Sequence, residues 1–296
     1  MVIDHSTRLK LILLAALAFV GLVFGIVWVR VLRRNGRFRV PDFLQTVVGF
    51  ITDFLDTLGV GSFAVTTAIY RSRKMVPDEL IPGTLNVGHA LPTIVQAFIY
   101  IAIVKVEIQT LVLTILASVL GAWIGAGYVT RWPKKQIQRG MGLALLAAAG
   151  LILARLTGLL PKGGDALGLS GGYLVAALIG NFVFGALMMI GVGAYAPIMV
   201  MVSLLGMNPD TAFPIMMGSC AFLMPTAGIR MIHAEKYHDR AALGLTLGGI
   251  PGVLIAAFIV WKLPLDAVRW LVVVVVIYTA VSMLLAASRE GTAGDK

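Results

Sequence analysis

Charged side chains are scarce in this sequence. Only 13% of its 296 residues are Asp, Glu, Lys or Arg and 59% are hydrophobic, whereas about a quarter of a soluble domain is charged. An ordinary soluble domain is therefore excluded, and the mean hydropathy of +0.93 is typical of a polytopic membrane protein. Cysteine is nearly absent too: Cys220 stands alone and cannot form an internal disulfide.

Several function classes lack their motifs as well. The sequence has no nucleophile motif, phosphate-binding loop or cysteine pair, and His233 and His238 lack the spacing of a metal site. We therefore expect no cofactor and no metal. The formal charge of +10 does not indicate nucleic-acid binding, because the basic residues cluster in short loops between apolar runs, as anionic lipid and the positive-inside rule predict.

Nine apolar stretches follow one another along the chain. They cover about residues 9–29, 44–70, 80–104, 108–130, 137–159, 173–205, 211–232, 240–261 and 265–287, and most have the roughly 20 residues that a crossing helix needs. The first is long for a signal peptide, and Arg30, Arg33, Arg34, Arg37 and Arg39 follow it. This pattern predicts an uncleaved helix in the bacterial inner membrane with its N-terminus outside.

After this helix the chain repeats itself at an offset of 131 to 132 residues. The matching pairs are Gly59 and Gly191, Gly61 and Gly193, Pro77 and Pro209, Pro82 and Pro214, Gly121 and Gly252, and Pro133 and Pro264. Their constant register predicts three parts: an extra N-terminal helix with a basic loop (1–40), a first repeat (41–160), and a second repeat with the C-terminal tail (161–296).

Charge bias distinguishes two topologies for these stretches. If all nine cross, Lys and Arg divide into 13 on one side and 11 on the other, and the positive-inside rule indicates nothing. If 44–70 and 173–205 are re-entrant hairpins, the division becomes 17 against 7, which favours hairpins and a cytoplasmic C-terminus. We therefore expect an all-α protein with two inverted repeats, each a glycine-broken hairpin plus three transmembrane helices. Two long, kinked crossing helices are the alternative.

The glycine turns predict an anion site. A helix that begins at mid-membrane has N–H groups without partners and carries the positive end of its dipole, and Ser62 stands where an N-cap residue would. Close helix packing at small residues is the competing explanation. The residues expected to bind substrate are Gly59, Gly61, Ser62, Asn86, His89, Gly191, Gly193, Ala194 and Ser219.

Two carboxylates precede the first turn. Asp53 and Asp56 are three residues apart and so share a helix face; the second half has Gly185 and Met188 at the matching places. Carboxylates at membrane depth are functional candidates by default. We consider both as proton acceptors, with a structural ion pair or a capping role as the alternative.

These features resemble the TauE/SafE sulfite exporter family of membrane permeases. The likeness rests on the repeat of four apolar stretches, a Gly-x-Gly turn followed by Pro197, the Gly218-Ser219 step and Pro264. It covers about residues 44–288 and leaves the first helix outside. Val65 stands where the family has a proline in the first half. The resemblance implies export or uptake of small anions such as sulfite, sulfonates or sulfoacetate.

We therefore expect a secondary transporter of a small anion, with membrane lipid as its surroundings and its oligomeric state open. Two other function classes remain. A membrane-embedded enzyme acting on a lipid-linked anion would use the loops 71–79 and 233–240, and a scaffold subunit would carry no solute.

Overall fold

A computed structural model describes residues 5–34, 36, 40–160, 163–191, 193–259 and 266–293. The α-helices of this described part are α1 (His5–Arg34), α2 (Phe43–Thr57), α3 (Phe63–Ser72), α4 (Ile81–Gly88), α5 (Ala90–Ile103), α6 (Ile108–Val129), α7 (Lys134–Leu156), α8 (Gly171–Met188), α9 (Tyr195–Leu204), α10 (Ala212–His233), α11 (Asp239–Ile259) and α12 (Asp266–Ala293). Short 3-10 turns precede α4 and α10. Pro264, Arg37 and Arg39, which the sequence analysis names, lie outside these residues, as does Val192 between the glycines of the second turn.

The helices are those of a polytopic membrane protein. Seven of them in the described ranges are long and apolar enough to cross a membrane. Helices α4 and α5, with the turn before α4, are apolar enough together and are bent by 40°, as in a broken span or a re-entrant loop. Both glycine-rich stretches are broken: five residues separate the end of α2 from the start of α3, and six separate the end of α8 from the start of α9. Helices α3 and α9 have 10 residues each, so each rises about 15 Å, half of a roughly 30 Å hydrocarbon core.

The chain before α2 packs against the start of α11. Arg240 Nη2, in the first turn of α11, donates to Asp42 Oδ1 at 2.6 Å. In the loop just before α11, the N–H of His238 donates to Thr84 Oγ1 in α4 at 2.9 Å. The beginnings of α2 and α4 therefore lie together at one end of the bundle.

Helix α3 ends at this same end. Arg71, in its last turn, pairs with Asp78 just before α4 and donates from Nη2 to the carbonyl of Ser282 in α12 at 3.0 Å. Asp78 also accepts from Gln138 Nε2 in α7 at 2.8 Å. We call this region, residues 40–42, 71–80, 130–138 and 234–240, the basic end. Because α2 begins and α3 ends there, the pair has the arrangement expected of a re-entrant hairpin.

The second broken stretch opens at the other end of the bundle. The N–H of Asn208 donates to the carbonyl of Ala166 at 2.8 Å, so the segment before α8 lies beside the segment after α9. The N–H of Glu107, before α6, donates to the carbonyl of Leu167 at 2.8 Å. We call residues 104–110, 163–170 and 204–211 the opposite end. The limbs of this hairpin are unequal, because α8 with its 18 residues is long enough to cross alone.

The centre of the bundle is formed by α4, α5 and α10, whose side chains are mostly buried. Proline shapes the bend between α4 and α5. Pro92 has no N–H, so the carbonyl of Gly88 loses its helical donor. Thr246 Oγ1 in α11 donates to that carbonyl instead, at 2.6 Å. The carbonyl that the bend leaves without a helical donor is thus satisfied by a side chain of the other half.

The two hairpins pack against the other half in matching ways. A Cβ atom on Gly252 in α11 would lie 2.4 Å from the carbonyl oxygen of Phe50 in α2, and one on Gly121 in α6 would lie 1.9 Å from that of Phe182 in α8. These contacts need glycine, which lets membrane helices approach closely. The pairs correspond under the repeat offset, so the halves make exchanged contacts, as a two-fold repeat predicts.

Candidate functional site

The first turn uses glycine where no other residue fits easily. Gly59 and Gly61 have φ of +83° and +93°, which L side chains rarely adopt. The N–H of Gly59 donates to the carbonyl of Asp56 at 2.9 Å, and that of Val60 to Leu55 at 3.0 Å. Among the described residues the N–H of Gly61 has no hydrogen-bond partner, which leaves it available to a ligand.

In the second turn only the first glycine has a left-handed backbone, whereas both glycines of the first turn do. Gly191 has φ of +85°, whereas Gly193 is not in the left-handed region. The N–H of Gly191 donates to the carbonyl of Met188 at 3.0 Å, while the N–H of Gly193 makes no hydrogen bond within the described part of the chain. Pro197 lies in the first turn of α9. N–H groups there have no helical acceptor, so the missing N–H of proline costs no helical hydrogen bond.

The two turns contact each other. A Cβ atom on Gly193 would lie 3.5 Å from Cβ of Phe63, the first residue of α3. A Cβ atom on Gly59 would lie 2.5 Å from the hydroxyl oxygen of Tyr195, the first residue of α9. Tyr195 also packs on Phe213, with ring centroids 5.9 Å apart. The N-terminal ends of α3 and α9 therefore meet.

A cavity of about 260 Å³ adjoins this junction. Its lining residues are Gly59, Val60, Leu151, Ile152, Arg155, Leu156, Tyr195, Ala196, Met199, Val200 and Val272. Arg155, in the last turn of α7, donates from Nη1 to the hydroxyl of Tyr195 at 3.0 Å, and its guanidinium carbon lies 5.9 Å from the ring centroid. A permanent positive charge, the first glycine turn and the N-terminus of α9 thus border a cavity that is smaller than the roughly 300–1,000 Å³ of drug-sized sites.

The side chain of Asp56, near the end of α2, reaches the N-terminus of α3. Its Oδ1 accepts from the N–H of Ser62 at 2.9 Å in a buried environment. The Ser62 side chain makes no capping bond, so the capping that the sequence suggested for Ser62 is absent, and the N–H of Ser62 is instead held by Asp56. The donor expected to face a substrate therefore already holds a carboxylate of the chain itself.

His89 has two buried partners. Its Nδ1 lies 2.9 Å from Asp53 Oδ1, and both side chains are 0% exposed. Its Nε2 lies 3.1 Å from Thr66 Oγ1 in α3. When Nδ1 donates to the carboxylate, Nε2 of the neutral ring accepts from the hydroxyl. His89, which the sequence analysis expects to bind substrate, thus links α2, α3 and the α4–α5 bend.

The remaining expected site residues lie deeper, away from the lining of this cavity. Asn86 Nδ2 donates to the carbonyl of Met188 at the end of α8 at 3.1 Å. Its Oδ1 and the hydroxyl of Ser219 are buried without a partner among the described residues. Ala194 is buried and belongs with Gly193 to a second, apolar cleft between α7 and the second hairpin.

The polar loops at the basic end do not converge on a reaction centre. Arg71 and Asp78 pair with each other, and the Nδ1 of His238 accepts from the N–H of Ala241 at 3.2 Å. In the described part of the chain no group of three or more His, Cys, Asp or Glu could hold a metal ion.

Sequence reasoning missed Arg155 and Tyr195. Arg155 lies near the end of the apolar stretch 137–159 and counts in the sequence only as a loop charge. Tyr195 lies inside the Gly-x-Gly-to-proline motif, which draws notice to its glycines. An arginine one residue before the end of a membrane helix, in register with a glycine turn of another element, becomes visible only when the helices are packed.

The chain was compared with known proteins. The family model described as Sulfite exporter TauE/SafE matches residues 2–152, just over half of the 296 residues. The matched residues include α1, which the resemblance described from the sequence motifs left outside. They also include the first glycine turn and the four side chains of Asp53, Asp56, Asn86 and His89. No curated protein and no solved structure matches the chain.

Proposed function

Because this chain belongs to the TauE/SafE sulfite exporter family, we propose that it exports a small anion such as sulfite, a sulfonate or sulfoacetate. Family membership implies transport of sulfite or a related anion. The narrower statements are our proposals: the mode of binding, the topology, and proton coupling through Asp53 and Asp56.

The meeting of the two broken helices at a cavity with Arg155 carries the proposal. Each helix N-terminus presents N–H groups without helical partners and the positive end of a dipole, which together favour an anion. The guanidinium adds a charge that holds oxyanions through paired N–H donors. A sulfite or sulfonate group presents three oxygens on one sulfur, which suits it to accept from Arg155 and from N–H groups where the two turns meet.

The positive-inside rule supports the proposed orientation. We assign the basic end to the cytoplasm of a bacterial cell, because it collects the arginine- and lysine-rich loops. The N-terminus and the opposite end then lie outside, and the C-terminus lies inside. The exchanged contacts of Gly121 and Gly252 support two repeats, at about 41–160 and 161–296, inverted relative to each other and preceded by the helix in 1–40.

The proposal is tested by counterflow in liposomes that contain the purified protein. Vesicles loaded with unlabelled anion are given the labelled form of sulfite, sulfate, methanesulfonate or acetate. We expect uptake of label for sulfite or the sulfonate. If none of the four anions shows counterflow, anion transport is refuted, and the scaffold and enzyme alternatives remain.

A charge-removal variant tests the site. Arg155→Gln should weaken the apparent affinity about 10- to 100-fold, the effect of losing a charge-assisted hydrogen bond of about 1.5–3 kcal/mol. Arg131→Gln is the matched control, since that arginine lies in the loop between α6 and α7 at the basic end. If both variants transport with the wild-type half-saturation concentration, the anion does not bind beside Arg155.

A further inference from the structure

The two hairpin turns differ in one group of the chain itself. In the first, the Asp56 carboxylate holds the N–H of Ser62 at 2.9 Å. In the second, the matching position is Met188, a buried apolar side chain. A negative charge that belongs to the protein therefore stands at one of the two helix N-termini that meet at the cavity.

The surroundings leave Asp56 without a cation of its own. The titratable groups facing it and its neighbour on α2 are Asp53 on α2, Tyr70 on α3, His89 at the α4–α5 bend, Tyr100 on α5 and Cys220 on α10. Helix α11 presents Gly249 here, where a Cβ atom would lie 2.1 Å from Asp53 Oδ2, and its only charged residues are Asp239 and Arg240 at its start. No Lys or Arg of the described residues pairs with Asp56, and His89 is held by Asp53.

We propose that the Asp56 carboxylate competes with the transported anion for the first helix N-terminus, so that a proton binds Asp56 whenever the anion binds. This inference rests on the proposed anion transport. When Asp56 is ionised, it occupies the Ser62 donor and repels a second negative charge. Protonation removes the charge and frees that donor for the substrate.

The size of the coupling follows from the charges. Two unit charges about 5–6 Å apart at an effective dielectric constant of about 20 change each other's binding by on the order of 100-fold. Such coupling is reciprocal, so the anion raises the proton affinity of Asp56 by the same factor. Above the pH at which free Asp56 ionises, the apparent anion affinity falls by up to about tenfold per pH unit.

The coupling determines what drives the flux. One proton moving with a monoanion in the same direction is electroneutral, so the membrane potential alone drives nothing. Export then proceeds when the outward anion gradient exceeds the opposing proton gradient. An inward proton gradient of sufficient size drives uptake instead.

The experiment uses purified full-length protein in liposomes and methanesulfonate, which stays a monoanion at every pH used. Counterflow of labelled methanesulfonate is measured from pH 5 to pH 9. Proton movement is followed with an internal pH-sensitive dye, with the membrane potential clamped by potassium and valinomycin. We expect a methanesulfonate gradient to drive protons in the same direction, at one proton per anion, whatever the clamped potential.

Asp56→Asn is the test variant and Asp210→Asn the matched control, since Asp210 lies exposed at the opposite end. We expect Asp56→Asn to lose the pH dependence of anion affinity, to bind about 100-fold more tightly than wild type at the alkaline limit, and to lose acid-driven accumulation. Asp210→Asn should retain the wild-type pH profile.

The outcomes separate this inference from the proposed function. If the wild-type protein shows counterflow of neither methanesulfonate nor sulfite at any pH, anion transport itself is refuted. Net methanesulfonate flux down its gradient without proton movement, or an Asp56→Asn variant with the wild-type pH profile, refutes the coupling alone. If Asp56→Asn does not fold, the proton-to-anion ratio of wild-type protein decides: a ratio of one supports the inference and zero refutes it.

Discussion

Replacing Gly59 by alanine tests whether the two glycine turns meet. Gly59 has φ of +83°, and an L residue there loses about 1–2 kcal/mol. Its Cβ would lie 2.5 Å from the hydroxyl oxygen of Tyr195, 3.0 Å from Cζ of that ring and 3.3 Å from Cζ of Phe213. Overpacking of this kind costs about 1–3 kcal/mol, so we expect a total destabilisation of about 2–5 kcal/mol.

Two other glycines divide this effect into its parts. At Gly61 the backbone has φ of +93°, but the nearest atom to an added Cβ, Cβ of Tyr195, is 3.9 Å away, so Gly61→Ala should lose only the backbone part. At Gly193, where φ is not left-handed, Cβ of Phe63 lies at an ordinary contact distance of 3.5 Å. Gly193→Ala should therefore be nearly neutral.

The assay is thermal unfolding of the purified variants in one detergent at one heating rate. We expect the unfolding midpoint to fall in the order Gly193→Ala, Gly61→Ala, Gly59→Ala, with the last lowest. Tyr195→Phe removes the closest atom and should rescue part of the Gly59→Ala loss, giving a coupling of about 1 kcal/mol in a double-mutant cycle. Equal midpoints for Gly59→Ala and Gly193→Ala, or strict additivity in the cycle, would show that the turns do not touch.

Two further predictions concern the buried ion pair and the topology. His89→Ala leaves Asp53 buried without its partner and should destabilise the protein by about 3–5 kcal/mol; Asp53→Asn in the same chain should recover part of this loss, and a double variant no more stable than His89→Ala would contradict the pairing. Single cysteines introduced at Val40 and Arg73 should react with an impermeant thiol reagent only from the cytoplasmic side, and one at Asp210 only from outside. Labelling of Val40→Cys and Arg73→Cys from opposite sides would favour full crossing over hairpins.

Much of the fold follows from local properties of the sequence, namely its apolar runs and the positions of its glycines. Apolar runs of about 20 residues predict helices in a membrane, and the all-helical, polytopic fold confirms that prediction. The break at Gly59 and Gly61 was predictable because a left-handed backbone needs glycine. The offset joins Gly121 to Gly252, but only the structure shows that these glycines make matching contacts with Phe182 and Phe50.

The candidate site depends on contacts that sequence spacing does not encode. His89 and Asp53 are separated by 36 positions and meet because the bend at Pro92 packs against α2. The cap at Ser62 comes from Asp56 across a turn whose path depends on two left-handed glycines. A Ser at the N-cap position typically accepts from an N–H of the first helical turn, but the Ser62 side chain makes no such bond, and Asp56 accepts from the N–H of Ser62 itself.

Substrate protection of one introduced cysteine tests the central claim most directly. Ala196 lines the cavity with Gly59 and Arg155, and the natural Cys220 is buried. In Ala196→Cys, a saturating transported sulfonate should slow modification by an impermeant thiosulfonate reagent, while modification of Asp210→Cys stays unchanged. Sulfite itself is avoided because it cleaves the reagent. An Ala196→Cys variant that still transports the sulfonate, but is modified at the same rate with and without it, would contradict anion binding where the two hairpins meet.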